Sequence, residues 1–183
     1  TFASKNKEPF DQISLMFKSK NFRMYYSNDV IGCQIGGALK NIYAIATGIS
    51  DGLNLGENAR SALITRSFVE VSRFANFYKT KKETVFGLSG LGDLILTCNS
   101  NKSRNYKFGI KVATSNLRNY EDLLDQNEIA EGYYTVKATK NIAEQNKINM
   151  PIMEAVFNIL YKENNIKEEI IRLMNRPTIE EQI

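Results

Sequence analysis

Between Asp29 and Asp51 the chain reads "VIGCQIGGALKNIYAIATGIS", and the only charged side chain in it is Lys40. Glycine, alanine and aliphatic residues dominate the run, and Gln34 and Asn41 carry its only side-chain amides. A segment this long and this apolar has two homes, a bilayer or a protein core. At a bilayer's centre a lysine costs roughly 2.5–3.5 kcal/mol on an insertion scale. The flanks here are acidic rather than basic, so no membrane span is expected. The run instead reads as a core helix capped by Asp29, with Gly48 and Gly52 bracketing its end. That reading raises a question, because a buried ammonium group is costly unless something compensates it.

What surrounds the run is mostly helical in pattern. "FRMYYS", Phe22 to Ser27, is the best strand candidate, with aromatic residues ahead of a turn-forming "SND". After the core helix, "ENARSALITRSFVEVSRFANFYK" spaces Ala62, Ile64, Val69, Val71 and Phe74 as a helix would. Further helical pieces are expected near 90–98, 103–115, 119–125, 134–146, 151–162 and 166–174. Pro151 suits a first helical position, and Pro177 follows the last helix. One strand ahead of so many helices implies an all-α domain over 29–183, preceded at 1–28 by the tail of a sheet-containing domain. The opening "TFASKNKEPF" has no start methionine and is expected to begin in the middle of that earlier domain.

The residues that are absent narrow the chemistry. With no histidine in 183 residues, a Ser-His-Asp triad, a Cys-His dyad and an HExxH zinc site are excluded, and no metal is expected. Cys33 and Cys98 lie far apart and read as reduced packing residues. Twenty-four basic residues against 20 acidic ones leave a formal charge of +4, which suits an anionic metabolite. Lys102, Arg104, Lys107 and Lys111, interleaved with Tyr106 and Phe108, would be raw material for nucleic-acid binding. Acidic residues run through the whole chain, however, and no nucleic-acid partner is expected.

On a helix, Gly36, Gly37, Lys40, Asn41 and Ala44 share a face. A lysine and an amide there stand beside a surface almost without side chains, where a ligand or another backbone can come close. A snorkelling lysine at a tight helix crossing would look the same. In "GLSGLGDLILTC", Asp93 follows three glycines at a helix start, where a carboxylate gains from the dipole whether or not it does anything else. "NSNKSRN" then sets Ser103, Arg104 and Asn105 ahead of another helix. Free N–H groups, a hydroxyl, an amide and a guanidinium fork suit a phosphate, although a solvated basic loop has the same composition.

Taken together, "DVIGCQIGGALKNIYAIATGISDG", "GLNLGENARSALITR", "GLSGLGDLILTC", "SRNYKFG", "EIAEGYYT" and "MPI" occur in one order over about 22–176. In that order they resemble the C-terminal, substrate-binding half of bacterial-type NAD(P)-dependent glycerol-3-phosphate dehydrogenases. "TFA" resembles the end of the "GPxFA" segment of that family's Rossmann domain. The resemblance implies a multi-helical domain of the 6-phosphogluconate-dehydrogenase-like type, with a Rossmann remnant in front. It implies an oxidoreductase that interconverts sn-glycerol 3-phosphate and dihydroxyacetone phosphate with NAD or NADP, inactive without the nucleotide-binding half. By motif position, Lys40 matches the catalytic acid/base. Asn41, Asp93, Ser103, Arg104 and Asn105 match substrate contacts, and Thr97 stands in the same motif as Asp93. Ala3, Arg104, Ile129 and Glu131 match cofactor contacts. A homodimer and a cytoplasmic setting come with the family. Ser67 departs from it, standing where a glycine is expected. Two other readings remain open at this point: a helical-domain dehydrogenase for a 3-hydroxy acid, and a non-enzymatic helical interaction module.

Overall fold

The computed structural model describes residues 1–117, 119–124, 129–177 and 180. In chain order the described elements are strand β1 (Phe2–Ala3), helix α1 (Glu8–Met16), strand β2 (Tyr26–Ser27), then α2 (Val30–Gly52) and α3 (Glu57–Phe77). There follow α4 (Lys82–Phe86), a turn of π-helix (Leu88–Gly92), α5 (Asp93–Cys98) and α6 (Arg104–Thr114). A 3-10 turn (Tyr120–Leu123), α7 (Glu131–Gln145), α8 (Pro151–Lys162) and α9 (Ile166–Met174) complete the order.

Helix α2 is the axis of the domain. It packs against α3, α5, α6, α7 and α8 together, which is why its apolar residues show no single stripe. Every residue from Asn41 to Ser50 is buried. Leu39, Ile42, Ile45 and Ile49 are among them or beside them, each contributing roughly 1.5–3 kcal/mol of hydrophobic stabilisation. The helix begins as the sequence implies, with the Asp29 carboxylate accepting from Gly32 N–H at 2.9 Å. The same carboxylate accepts from Lys81 N–H at 2.8 Å and so ties the α3–α4 connection to the start of α2. Partial burial pushes the Asp29 carboxyl up, but these backbone donors outweigh it and hold it below its usual range. Among the described residues, no helix is long and apolar enough to cross a membrane.

The end of α2 differs from expectation. Gly48 does not bracket it; the helix runs through Gly48 to Gly52. A Cβ on Gly48 would stand 2.1 Å from the Tyr106 carbonyl, and one on Gly109 would stand 2.2 Å from the Ile45 carbonyl. The two glycines face each other where α2 crosses α6, so their purpose is close backbone approach, not helix termination. Leu53 to Gly56 then turn the chain into α3, with Gly56 at φ +92°. Asp51 accepts from Arg60 Nη1 at 2.7 Å and from the Tyr106 hydroxyl, joining α2, α3 and α6.

A buried carboxylate organises the far side. Glu70 on α3, 1 % exposed, accepts from the N–H groups of Ile152 at 2.6 Å and Met153 at 3.1 Å, the orphan donors at the start of α8. It also accepts from the Tyr43 hydroxyl at 3.1 Å. Burial pushes Glu70 up to about 7 against the pull of those donors. Cys98 is fully buried and its thiol is pushed up to about 12 by burial, as expected of a packing cysteine.

The N-terminal segment is where sequence patterning was weakest. Of the strand expected over 22–27, only Tyr26–Ser27 is extended and paired, in parallel with β1. Phe22 instead bridges back to Ser19. Aromatic propensity favours a strand only where a partner exists, and β1 supplies two residues. Helices α1 and α4 were not anticipated, and Ala62 is exposed rather than packed. The helix expected over 119–125 is a 3-10 turn at Tyr120–Leu123, and residue 125 lies outside the described residues.

Candidate functional site

Side chains from four helices converge at the middle of α2. Lys40 and Asn41 come from α2, Asp93 and Thr97 from α5, Ser103 to Asn105 from the start of α6, and Glu131 and Gly132 from the start of α7. The compensation for the isolated lysine is Asp93, whose Oδ2 lies 2.6 Å from Lys40 Nζ. The side chains are 23 % and 30 % exposed, so the pair sits at the floor of an open surface rather than in the core. Thr97, one turn on, donates to the Asp93 carbonyl at 2.6 Å and reaches Asp93 Oδ1 at 3.4 Å. The carboxylate is therefore held from its own helix while it holds the ammonium.

Close approach makes this pairing possible. A Cβ on Gly36 would stand 2.3 Å from the Ser89 carbonyl and 3.1 Å from Gly90 Cα. Without a side chain there, the π-helical turn lies directly on α2 and delivers Asp93 at its end. Cys33 Sγ and Ser89 Oγ, 3.3 Å apart, make a second contact at the same crossing. Gly37 is different, with nothing within 4 Å of where its Cβ would stand. Gly37 and Lys40 are three apart on one face, so open space borders the ammonium group.

A second set of contacts surrounds Asn41. Its Nδ2 donates to Glu131 Oε2 at 3.1 Å, and its Oδ1 accepts from Asn105 Nδ2 at 3.0 Å. Asn105 Oδ1 in turn accepts from Gly132 N–H at 2.8 Å. Asn41 and Asn105 are buried, and α7 approaches so closely that a Cβ on Gly132 would stand 2.6 Å from the Asn41 carbonyl.

The remaining expected residues occupy simpler places. Ser103 caps α6, its Oγ accepting from Tyr106 N–H at 3.2 Å. Arg104 is exposed at the first position of α6 and borders a shallow dent with Lys107, Lys111 and Ala130. Ile129 is exposed just ahead of α7. Ala3 lies in β1 opposite Ser27, which ties it to the strand pair and not to the Lys40 cluster. The fold thus joins Lys40, Asp93 and Thr97 in one unit and Asn41, Asn105 and Glu131 in another. Neither the Glu131–Asn41 contact nor the π-helical turn was legible in sequence; "GLSG" ahead of Asp93 and the glycine after Glu131 were the available signals.

Comparisons with known proteins agree on the family. The family described as the NAD-dependent glycerol-3-phosphate dehydrogenase C-terminus matches residues 29–171. A glycerol-3-phosphate dehydrogenase [NAD(P)+] of Hydrogenovibrio crunogenus is 49 % identical over 161 residues, covering 87 % of this chain and 46 % of its own length. One from Brachyspira hyodysenteriae is 47 % identical over 157 residues, covering 85 % and 46 %. The crystal structure of glycerol-3-phosphate dehydrogenase from Coxiella burnetii superposes with a TM-score of 0.87 at 38 % identity, covering 95 % of this chain and 53 % of that one. The chain spans about half the length of the curated relatives it matches.

Proposed function

Because the chain belongs to the family of the NAD-dependent glycerol-3-phosphate dehydrogenase C-terminus, we propose that it is the substrate-binding half of an oxidoreductase interconverting sn-glycerol 3-phosphate and dihydroxyacetone phosphate. Residues 1–28 would then belong to a nucleotide-binding domain. The parallel pairing of β1 with β2 supports this, since parallel strands are normally part of larger, covered sheets. The working enzyme is a cytoplasmic homodimer by the same reading.

The observation that carries the proposal is the 2.6 Å Lys40–Asp93 pair beside the open face of Gly37. In reduction, the Lys40 ammonium donates a proton to the ketone oxygen; in oxidation, the neutral amine accepts the hydroxyl proton. Asp93, steadied by Thr97, aims Nζ at that oxygen. Arg104, Ser103 and the N–H groups at the start of α6 receive the phosphate, which places the reacting carbon by contacts remote from it. Asn41 and Asn105 offer amide N–H groups to the substrate.

The nicotinamide group of NAD or NADP, when bound, supplies or takes the hydride. The residues present fit it: the open face at Gly37 leaves room for a flat ring, and the exposed Arg104 guanidinium suits a diphosphate. Arg104, Ile129 and Glu131 would hold it from this half, with Ala3 at the strand end. The test is Lys40→Ala in the full-length protein. Turnover should fall about 10²–10⁴-fold, the usual worth of a general acid, while cofactor affinity is unchanged. Near-normal turnover would remove Lys40 from the chemistry.

A further inference from the structure

The hydrogen-bonded chain through Asn41 and Asn105 has a direction, and the start of α7 fixes it from both ends. At one end stands Gly132 N–H, the second residue of α7, a donor with no partner inside its own helix. It can be satisfied only by an acceptor, so it demands the carbonyl side of the Asn105 amide, which it meets at 2.8 Å. Asn105 must then offer its NH₂ side to Asn41, whose oxygen accepts at 3.0 Å. That leaves the Asn41 NH₂ pointing at Glu131, and a carboxylate can only accept. Both ends therefore require the same orientation of both amides. A flip of either asparagine would face NH₂ against N–H or oxygen against carboxylate. Glu131 and Gly132 are adjacent, and the tight fit of Gly132 on the Asn41 carbonyl keeps the two anchors in register with α2.

We propose that Glu131 is a positioning residue for the substrate. It locks the amide of Asn41, and through it that of Asn105, in the orientation that leaves N–H donors and not carbonyl oxygens for an anionic or hydroxyl-bearing ligand. Each NH₂ group uses one hydrogen in the chain; the second of Asn41 reaches the Gly37 carbonyl only at 3.5 Å, and that of Asn105 has no acceptor among the described residues. With Glu131 removed, Gly132 N–H still holds Asn105, but the Asn41 NH₂ has lost its acceptor and only the single bond from Asn105 opposes a turn of the Asn41 oxygen toward the ligand. This inference rests on Asn41 and Asn105 as substrate contacts, and it adds to Glu131 a task separate from holding the cofactor.

Two measurements test it. In the side-chain amide ¹⁵N–¹H spectrum of this chain, Glu131→Ala should shift the NH₂ pair of Asn105 as well as that of Asn41. Glu131→Gln keeps an acceptor oxygen at similar reach and should leave the Asn105 pair close to its original position. An Asn105 pair unmoved by Glu131→Ala overturns the lock. In the full-length protein at saturating cofactor, Glu131→Ala should raise KM for sn-glycerol 3-phosphate about tenfold, with Glu131→Gln recovering most of the loss. In an Asn105→Ala background the further loss from Glu131→Ala should nearly vanish, because the two residues act through one chain. A loss confined to the cofactor's KM, or full additivity with Asn105→Ala, overturns the proposal. A wild-type protein that does not turn over sn-glycerol 3-phosphate overturns the functional reading instead, and the amide spectrum still decides the lock.

Discussion

Adjacent glycines on α2 should respond to the same substitution with opposite signs. In a helix interior, exchanging glycine for alanine gains about 1 kcal/mol of backbone propensity. At Gly37 nothing stands within 4 Å of the added methyl, so that gain should appear almost undiminished. At Gly36 the methyl would stand 2.3 Å from the Ser89 carbonyl and 3.1 Å from Gly90 Cα. Those are backbone atoms of the π-helical turn, which no rotamer change can move aside. Overpacking of this kind costs roughly 1–3 kcal/mol, and contact with backbone places it at the upper end. The net expectation is a gain of about 1 kcal/mol for Gly37→Ala and a loss of about 1–2 kcal/mol for Gly36→Ala. For a chain of this size each kcal/mol moves Tm by about 2–4 °C. Far-UV circular dichroism melts should then place Gly37→Ala about 2–4 °C above the parent and Gly36→Ala about 2–8 °C below it. Gly36→Ala should also displace Asp93, because the turn it pushes away ends at that residue. Two shifts of the same sign would refute the claim that one glycine serves a helix contact and the other an open face.

Two further stability effects follow from buried polar groups. Glu70 sits at about 7 in the fold against an unfolded value of 4.5, so the folded state binds the extra proton. Its contribution is therefore fully present below pH 4.5 and lost as pH rises through 7, a change of roughly 3 kcal/mol. A Tm–pH series should show that decline in the parent and a flatter profile in Glu70→Gln; parallel profiles would defeat the assignment. Ser67 buries a hydroxyl with no partner among the described residues. Ser67→Ala should stabilise by about 1 kcal/mol, by removing an unsatisfied group and adding helix propensity. A lower melting temperature for Ser67→Ala would mean that the hydroxyl is satisfied in solution.

The helices that bury a face were legible because burial writes itself into residue order. The spans of α6, α8 and α9 lie within a residue of the pattern-based expectation, each bounded by a cap, a proline or a polar break. Helix α1 left no such trace, since none of its residues is buried: Leu15 and Met16 are exposed, and Phe10 packs against Phe2 and Tyr26 of the short strand pair. Glu70 left none either. In "FVEVSRF" it reads as an ordinary solvated position of a helix, and only the arrival of α8, over 80 residues later, makes it a buried cap. Carboxylates that serve another element's backbone carry no local signature, because the donors they satisfy lie elsewhere in the chain.

The same reasoning separates the two halves of the candidate site. Lys40 stood out because a charge inside an apolar run contradicts its surroundings, and the contradiction pointed to a partner from elsewhere. Asp93 answers it at 2.6 Å from 53 residues away. Asn41 and Asn105 produced no contradiction, since an amide is tolerable in a helix and at a helix start. Their significance depends on which way each amide faces, a property with no trace in residue type or spacing. It arises only when a donor and an acceptor from one helix start meet the two ends of the pair. Sequence thus exposes the group whose burial is expensive, whereas the groups that set direction become visible only in three dimensions. Under the proposed mechanism, Lys40, the proton-transferring residue, is of the first kind, and Asn41, Asn105 and Glu131 are of the second.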